Sequence, residues 1–195
     1  VIEGPEAGGH LGFKREELDE ENKPKLEDIT SEIVEYIKGV EKETGKEIPV
    51  ISAGGIWDSK DIKKYLNLGA SGVQMATRFV ATNECDASEE FKKAYINAKE
   101  EDIKIIKSPV GMPGRAIYNE FIQKTENEEC HIDKCYNCIK TCNVATTPYC
   151  ITKALINAVK GNLKEGLVFC GSNVSKVKEI ISVHDLMNEL VCDIN

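Results

Sequence analysis

The stretch that decides the fold is IPVISAGGIWD, residues 48–58. It begins as a short apolar run, ends abruptly in two glycines, and continues to Asp58, a residue type that commonly caps the start of a helix. A buried strand, a glycine turn and a helix start, in that order, are typical of one βα unit of a parallel sheet. The stretch therefore predicts an α/β fold.

Two further apolar runs, at residues 1–4 and 72–76, lie on either side of this unit. Their separations are long enough for the crossover connections that parallel strands require. Apolar residues recur at helical spacing in the segments between and after the runs. The predicted helices span residues 29–40, 58–69, 88–99, 148–160 and, for most of its length, 176–190. We therefore expect three parallel strands, each followed by a helix.

Composition excludes several classes of protein. The 195 residues are 41% hydrophobic and 30% charged, as in globular proteins. No apolar run approaches the roughly 20 residues of a transmembrane helix, so we expect no membrane partner. A net charge of −8 argues against a nucleic-acid partner, because such proteins usually present a basic face. Without a signal-peptide pattern, the eight cysteines indicate reduced thiols in a cytoplasmic protein.

Small residues follow two of the predicted strands and suggest a phosphate site. Glycine and other small residues let backbone N–H groups approach an anion closely. In (β/α)8 barrels, the loops after strands seven and eight commonly bind phosphate. One pair of glycines is better explained as a simple turn, but two such strand ends one βα unit apart favour phosphate binding. The candidate residues are Ala53, Gly54, Gly55, Gln74, Met75, Ala76 and Thr77.

The glycine-rich segment EAGGHLG, residues 6–12, carries a candidate catalytic residue. His10 follows Gly8 and Gly9 just past a predicted strand, where the catalytic side chains of barrel enzymes lie. Imidazole titrates near neutral pH and can act as a base or a hydrogen-bond donor. By itself, a histidine in such a loop is more often an ordinary surface residue. For Arg115, in a turn rich in glycine and proline, we favour a structural role over ligand binding.

Five cysteines crowd into residues 130–150, and four of them have the spacing Cys135-x2-Cys138-x3-Cys142-x7-Cys150. Thiolates suit zinc or an iron–sulfur cluster, so these four are candidate metal ligands. The spacing matches neither the ferredoxin runs nor the paired CxxC zinc pattern. The alternative is a set of reduced thiols packed in a small helical region.

Four motifs, in order along the chain, resemble those of the nitronate monooxygenase family. They are EAGGHLG (6–12), ISAGGIWD (51–58), GVQMATRF (72–79) and SPVGMPGRAI (108–117). The flavin-dependent enoyl-ACP reductases are relatives in the same superfamily. The resemblance implies an FMN-binding TIM barrel in which His10 is the active-site histidine. Gly8 and Gly9 would lie along the flavin, and the two strand-end loops would hold its phosphate. Ala76 departs from the glycine of the family pattern QxGTRF but still offers a backbone amide.

The activity that the resemblance implies is an FMN-dependent oxidation of alkyl nitronates, or of nitroalkanes, by dioxygen. The products are a carbonyl compound and nitrite. Two alternatives stay open: an NAD(P)H-dependent flavin enoyl-ACP reductase, and a noncatalytic metal-binding module organised by the cysteines. The expected partners are a small nitronate or nitroalkane substrate and dioxygen, and the resemblance also allows a homo-oligomer.

The length is short for a complete barrel, which needs about 250 residues and at least roughly 200. The chain begins at Val1 without an initiator Met. Three barrel strands are recognisable, and the resemblance places them as strands 6 to 8. We therefore expect residues 1–120 to be the C-terminal part of a barrel that a missing N-terminal segment completes. Residues 121–195 would form a Cys-rich, mainly helical extension that packs on the barrel.

Overall fold

The computed structural model describes residues 1–19, 21, 23–127, 130–140 and 142–194. Its strands are β1 (Ile2–Glu3), β2 (Gly9–His10), β3 (Ile51–Ala53), β4 (Gly72–Gln74), β5 (Ile103–Lys107) and β6 (Pro113–Ile117). Its α-helices are α1 (Leu26–Thr44), α2 (Ser59–Asn67), α3 (Thr77–Val80), α4 (Glu89–Asn97), α5 (Glu120–Glu126), α6 (Ile151–Val159) and α7 (Val183–Val191). Short 3-10 helices span Arg15–Leu18, Glu100–Asp102 and Val174–Lys176.

The three predicted strands form a parallel sheet in the order β1-β3-β4. Ile2 pairs with Ser52 in register, and Ser52 pairs in turn with Val73. Helices α1 and α2 are the crossover connections, as the apolar spacing predicts. Because the strands run in the same direction, their carboxyl ends meet at one edge of the sheet, and the glycine-rich loops follow them there.

Most helices lie where the apolar spacing places them, and side-chain caps fix several of their starts. The Asp58 side chain accepts a hydrogen bond from the Asp61 amide at the start of α2. Ser88 caps α4 by accepting from the Phe91 amide. The last predicted helix is shorter than expected, because the Ser182 side chain accepts from the Asp185 amide and starts α7 there.

A second, antiparallel sheet in the order β2-β6-β5 was not predicted from the sequence. Strands β5 and β6 form a hairpin across residues 108–112, where Gly111 adopts a φ of 85° that favours glycine. His10 pairs with Gly114 at the far side of this sheet. The segment EAGGHLG is therefore not a simple surface loop, because the sheet fixes its backbone at His10.

Residues from the C-terminal third contribute directly to the packing of the α/β part. Leu186 and Leu190 of α7 share one core cluster with Ile62 and Tyr65 of α2. The segment 167–170 returns to β6, where the Ile117 amide donates to the Val168 carbonyl at 2.9 Å. The division into a barrel part, residues 1–120, and an extension, residues 121–195, stays a prediction.

The cysteine segment, defined here as residues 130–140 and 142–150, forms no helix among its described residues. This corrects the expectation of a small helical Cys-rich region. Helices flank the segment, with α5 before it and α6 beginning at Ile151. The run of two threonines and Pro148 before α6 is unfavourable for a helix, because β-branched residues and proline lower helix propensity.

Among the helices of the described residues, none is both long and apolar enough to cross a membrane.

The packing of α7 yields a stability prediction. Leu186 is fully buried, so we expect Leu186→Ala to lower the free energy of unfolding by about 2–5 kcal/mol through lost contacts and a cavity. The neighbouring Met187 is 42% exposed, and Met187→Ala should change the free energy of unfolding by no more than about 0.5 kcal/mol. Urea denaturation of both variants measures the difference. Equal effects would show that α7 does not pack as described.

Candidate functional site

A cavity of about 270 Å³ lies at the carboxyl ends of the parallel strands. Four chain segments form most of its wall: one after β1, one after β3, one after β4, and a fourth from the C-terminal third. Tyr95 of α4 adds a side chain. Its lining includes Glu3, Glu6, Ala7, Gly8, Gly9, Ala53, Gly54, Gly55, Ile56, Trp57, Gln74, Met75, Ala76, Thr77, Arg78, Tyr95, Phe169, Cys170, Gly171, Ser172 and Asn173. We refer to it as the strand-end cavity.

Backbone, rather than long side chains, forms the wall after β3. Gly54 and Gly55 adopt φ values of 98° and 77°, which other residues adopt only with strain. A Cβ at Gly54 would lie 3.0 Å from the Ala7 amide nitrogen and from the Gly4 carbonyl oxygen. The two loops therefore touch through their backbones, and the small residues leave space for a ligand above them.

The fourth segment, Phe169–Asn173, is the part of the site that the sequence analysis missed. Its Gly171 amide donates to the Thr77 hydroxyl at 3.1 Å. The Asn173 side-chain amide donates to the Gly55 carbonyl at 2.7 Å. One short segment thus joins the loops after β3 and β4. The available signal was the apolar run Leu167–Phe169 followed by small polar residues, the pattern that marks the other two strand ends.

Ser172 leaves a hydroxyl group available at the cavity. Its backbone amide donates to the Glu6 carbonyl at 3.1 Å, which fixes the residue in place. The side-chain oxygen is buried, and no described residue forms a hydrogen bond with it. A buried hydroxyl without a partner is costly unless a ligand or water satisfies it. A phosphate oxygen beside Ser172 would accept such a bond, so the residues present fit a phosphorylated ligand.

Charge at the rim of the cavity comes from cations stacked on Trp57. The Arg78 guanidinium lies 4.9 Å from the centre of the Trp57 ring, and the Lys176 ammonium lies 5.7 Å from it. Arg78 also pairs with Glu189 and is mostly buried. Two acids line the cavity: Glu6 pairs with Lys23 at 3.0 Å, and burial raises the pKa of Glu3. Lys176 is the cation of this rim that would favour an anionic ligand, because Glu189 balances the charge of Arg78.

His10 lies next to the strand-end cavity, one residue beyond its lining residue Gly9. Its Nε2 atom is 2.7 Å from the Ser108 hydroxyl oxygen. Its ring meets the ring of the lining residue Phe169 edge-on, with 4.8 Å between the centroids. Burial lowers the pKa of His10 below its ordinary value, because desolvation disfavours the charged imidazolium. The imidazole is therefore held in place and neutral near pH 7.

The structure brings together all nine residues predicted to bind the cofactor. Each of them lines the strand-end cavity, and His10 adjoins it. Arg115 is buried, and its guanidinium donates to the Ala7 carbonyl, a structural contact that holds the loop before Gly8. The predicted residues are Gly8, Gly9, Ala53, Gly54, Gly55, Gln74, Met75, Ala76 and Thr77.

The proposed metal ligands Cys135, Cys138, Cys142 and Cys150 lie elsewhere, around a separate cavity of about 190 Å³. Within the part of the chain that the structure describes, no three His, Cys, Asp or Glu side chains are grouped so that they could hold a metal ion. A zinc or iron–sulfur site needs four converging ligands. The structure therefore gives the metal-site prediction no support.

Comparison with known proteins links this geometry to one family. A family model described as nitronate monooxygenase matches residues 1–193. A probable nitronate monooxygenase of Staphylococcus aureus (strain Newman) is 37% identical over 129 residues, which are 66% of this chain and 34% of that relative. The chain thus spans about a third of the length of the curated relatives it matches.

Two solved structures share the fold along almost the whole chain. FabK from Thermotoga maritima has a TM-score of 0.69 and 25% identity, covering 98% of this chain and 52% of the FabK chain. Nitroalkane oxidase from Streptomyces ansochromogenes has a TM-score of 0.64 and 20% identity, covering 98% of this chain and 50% of that one. Together with the family match, these structures give the chain a TIM-barrel-type α/β fold. The assignment of the strands as 6 to 8 stays a prediction.

The lowered pKa of His10 yields a prediction for pH titration. Its NMR midpoint should lie below the value of about 6.5 that an unperturbed histidine shows. As the pH falls, the unfolded chain therefore binds a proton at His10 at a higher pH than the folded chain does. Stability from this group is therefore present above about pH 6.5 and lost as the pH falls through the folded pKa. The chain has three histidines, and the NMR signal that disappears in His10→Gln is that of His10. A midpoint at or above 6.5 would contradict the burial of the ring.

Proposed function

Because the chain belongs to the nitronate monooxygenase family, we propose that it binds FMN and supplies the histidine for the oxidation of alkyl nitronates by dioxygen. The observation that carries this proposal is the strand-end cavity, where glycine-rich backbone, a buried hydroxyl without a partner and a neutral histidine meet. The family consists of flavin-dependent oxidoreductases. The products would be a carbonyl compound and nitrite.

The phosphate of FMN would lie between the loops after β3 and β4. Gly54, Gly55 and Ala76 would offer backbone amides there, and Ser172 would donate its otherwise unsatisfied hydroxyl. Gly8 and Gly9 line the same cavity, and the flat ring system would lie along their backbone. When bound, FMN supplies the redox chemistry by accepting the electrons that the substrate loses.

His10 would act on the substrate as a neutral imidazole. In that form it can take a proton from the carbon of a neutral nitroalkane, which converts the substrate to its nitronate. With the proton gained, it can hold the negative nitronate oxygens. The hydrogen bond with Ser108 and the edge-on contact with Phe169 restrain the ring of His10. Little rotational freedom of this ring is therefore lost when the substrate binds.

Turnover tests this assignment of His10. With the protein loaded with FMN, we expect nitronate-dependent oxygen uptake, which His10→Ala should lower by about 100-fold or more because a positioned acid–base group is lost. Bound flavin, read from its absorption spectrum, should remain. His131→Ala is the matched control, since His131 is exposed and outside the cavity.

Three outcomes would count against the proposal. Unchanged turnover in His10→Ala would show that the active site is elsewhere. Reduction of a crotonyl thioester by NADH, without nitronate oxidation, would favour the enoyl-ACP reductase alternative. A full-length protein that binds no flavin would exclude both activities.

Affinity for FMN tests the phosphate position separately. Ser172→Ala should weaken FMN binding by about 10-fold, because it removes a hydrogen bond to a charged group. Binding of riboflavin, which lacks the phosphate, should not change. Ser175→Ala, three residues along and outside the cavity lining, should leave both affinities as they are. Titration of flavin fluorescence gives all these constants, and an equal loss for both ligands would place the phosphate elsewhere.

A further inference from the structure

The cysteine segment surrounds a cavity that the flavin chemistry does not use. Cys135, Cys138, Cys142 and Cys150 all line this cavity of about 190 Å³, and all four are thiols. Four cysteines around one small cavity need a chemical explanation, and the described residues do not group as a metal site. Oxidation of thiol pairs is the other chemistry that clustered cysteines support.

A hydrogen bond links the first of these cysteines to the backbone two residues further on. The Asn137 amide donates to the Cys135 sulfur at 3.3 Å. Asn137 has a φ of 51°, and it is the one non-glycine residue with a positive φ in the described part of the chain. Asparagine tolerates this left-handed conformation better than most residues. Cys135 and Cys138 thus lie on either side of Asn137 in one short segment, and both line the same cavity.

We propose that Cys135 and Cys138 are a dithiol modification site, which a hydroperoxide converts to an intramolecular disulfide. The site is separate from the strand-end cavity and does not depend on the proposed flavin activity. Both cysteines are exposed, so a small oxidant can reach either sulfur.

The reaction balances with one hydroperoxide. The thiolate of one cysteine attacks the peroxide oxygen, which breaks the O–O bond and gives a sulfenic acid and water when the oxidant is hydrogen peroxide. The thiolate of the other cysteine then attacks the sulfenic sulfur, forms the S–S bond and releases a second water. The two thiols lose two electrons in total, and the peroxide gains them.

The surroundings favour this pair over the other cysteines. Both members of the pair are exposed, and Lys140 lines the cavity beside them. Cys142 and Cys150 are only partly exposed. Cys170 is buried, and burial raises its pKa to about 12, so it stays protonated and unreactive. Cys192 is exposed but lies outside the cavity, which makes it a suitable comparison.

Peptide mapping tests the proposal directly, because trypsin separates the candidates. Cleavage after Lys134 and Lys140 gives a peptide of residues 135–140 that holds both proposed cysteines. The next peptide, residues 141–153, holds Cys142 and Cys150. After treatment of the reduced protein with hydrogen peroxide, the first peptide should lose the mass of two hydrogens and resist alkylation. Dithiothreitol should restore it.

Variants supply the controls. Cys135→Ser and Cys138→Ser should abolish this mass loss, whereas the matched Cys192→Ser should keep it. Circular dichroism of each variant confirms folding before the treatment. The proposal would be overturned by a disulfide within residues 141–153 or between the two peptides, or by thiols that do not react. Zinc or iron that copurifies with the protein and shields the same cysteines would also overturn it, in favour of a metal site.

Discussion

The close approach of two backbones at Gly8 is the constraint on which the candidate site depends. A Cβ at this position would lie 2.6 Å from the carbonyl carbon of Cys170, a distance that packed atoms do not reach. Only glycine lets the loop after β1 touch the segment Phe169–Asn173. Through this contact the segment reaches the loops after β3 and β4, with bonds to Gly55 and Thr77. Because Gly8 has no side chain, the loop after β1 and the segment 169–173 can come together with the loops after β3 and β4 around one cavity.

The second sheet has an equally specific effect on the chemistry of the site. Because β2 pairs with β6, His10 is held opposite Gly114, and the hairpin that follows β5 brings Ser108 within hydrogen-bond distance of the ring. A histidine in a glycine-rich loop would otherwise move with its loop and titrate near its ordinary pKa. Here the sheet restrains the backbone, Phe169 covers one edge of the ring, and burial disfavours the charged form. Fold and acid–base behaviour are thus linked through a few contacts.

The prediction of fold and site from sequence was accurate for the elements that a local residue pattern defines. The runs at residues 1–4, 48–52 and 72–76 contain β1, β3 and β4, and the small residues after them line the cavity. The pairing of β2 with β6 and the contacts of the segment 169–173 were missed, because they join residues that lie far apart along the chain. The β5–β6 hairpin is local, and it was missed because its residues rich in glycine and proline suggested only a turn. The cysteine spacing suggested a metal, but spacing alone does not make side chains converge. The described thiols line a cavity without grouping as ligands.

The sequence by itself determined the parallel βαβ order, the strand ends with small residues and the nature of His10 as a group that titrates near neutrality. These properties follow from residue type and short-range periodicity, which every part of the chain carries locally. Only the tertiary structure decided that Ser172 lines the cavity with a buried hydroxyl that no described residue satisfies, that Ser108 holds His10, and that Cys135 and Cys138 line one cavity. Each of these depends on which distant segments pack together, and packing is a property of the whole folded chain.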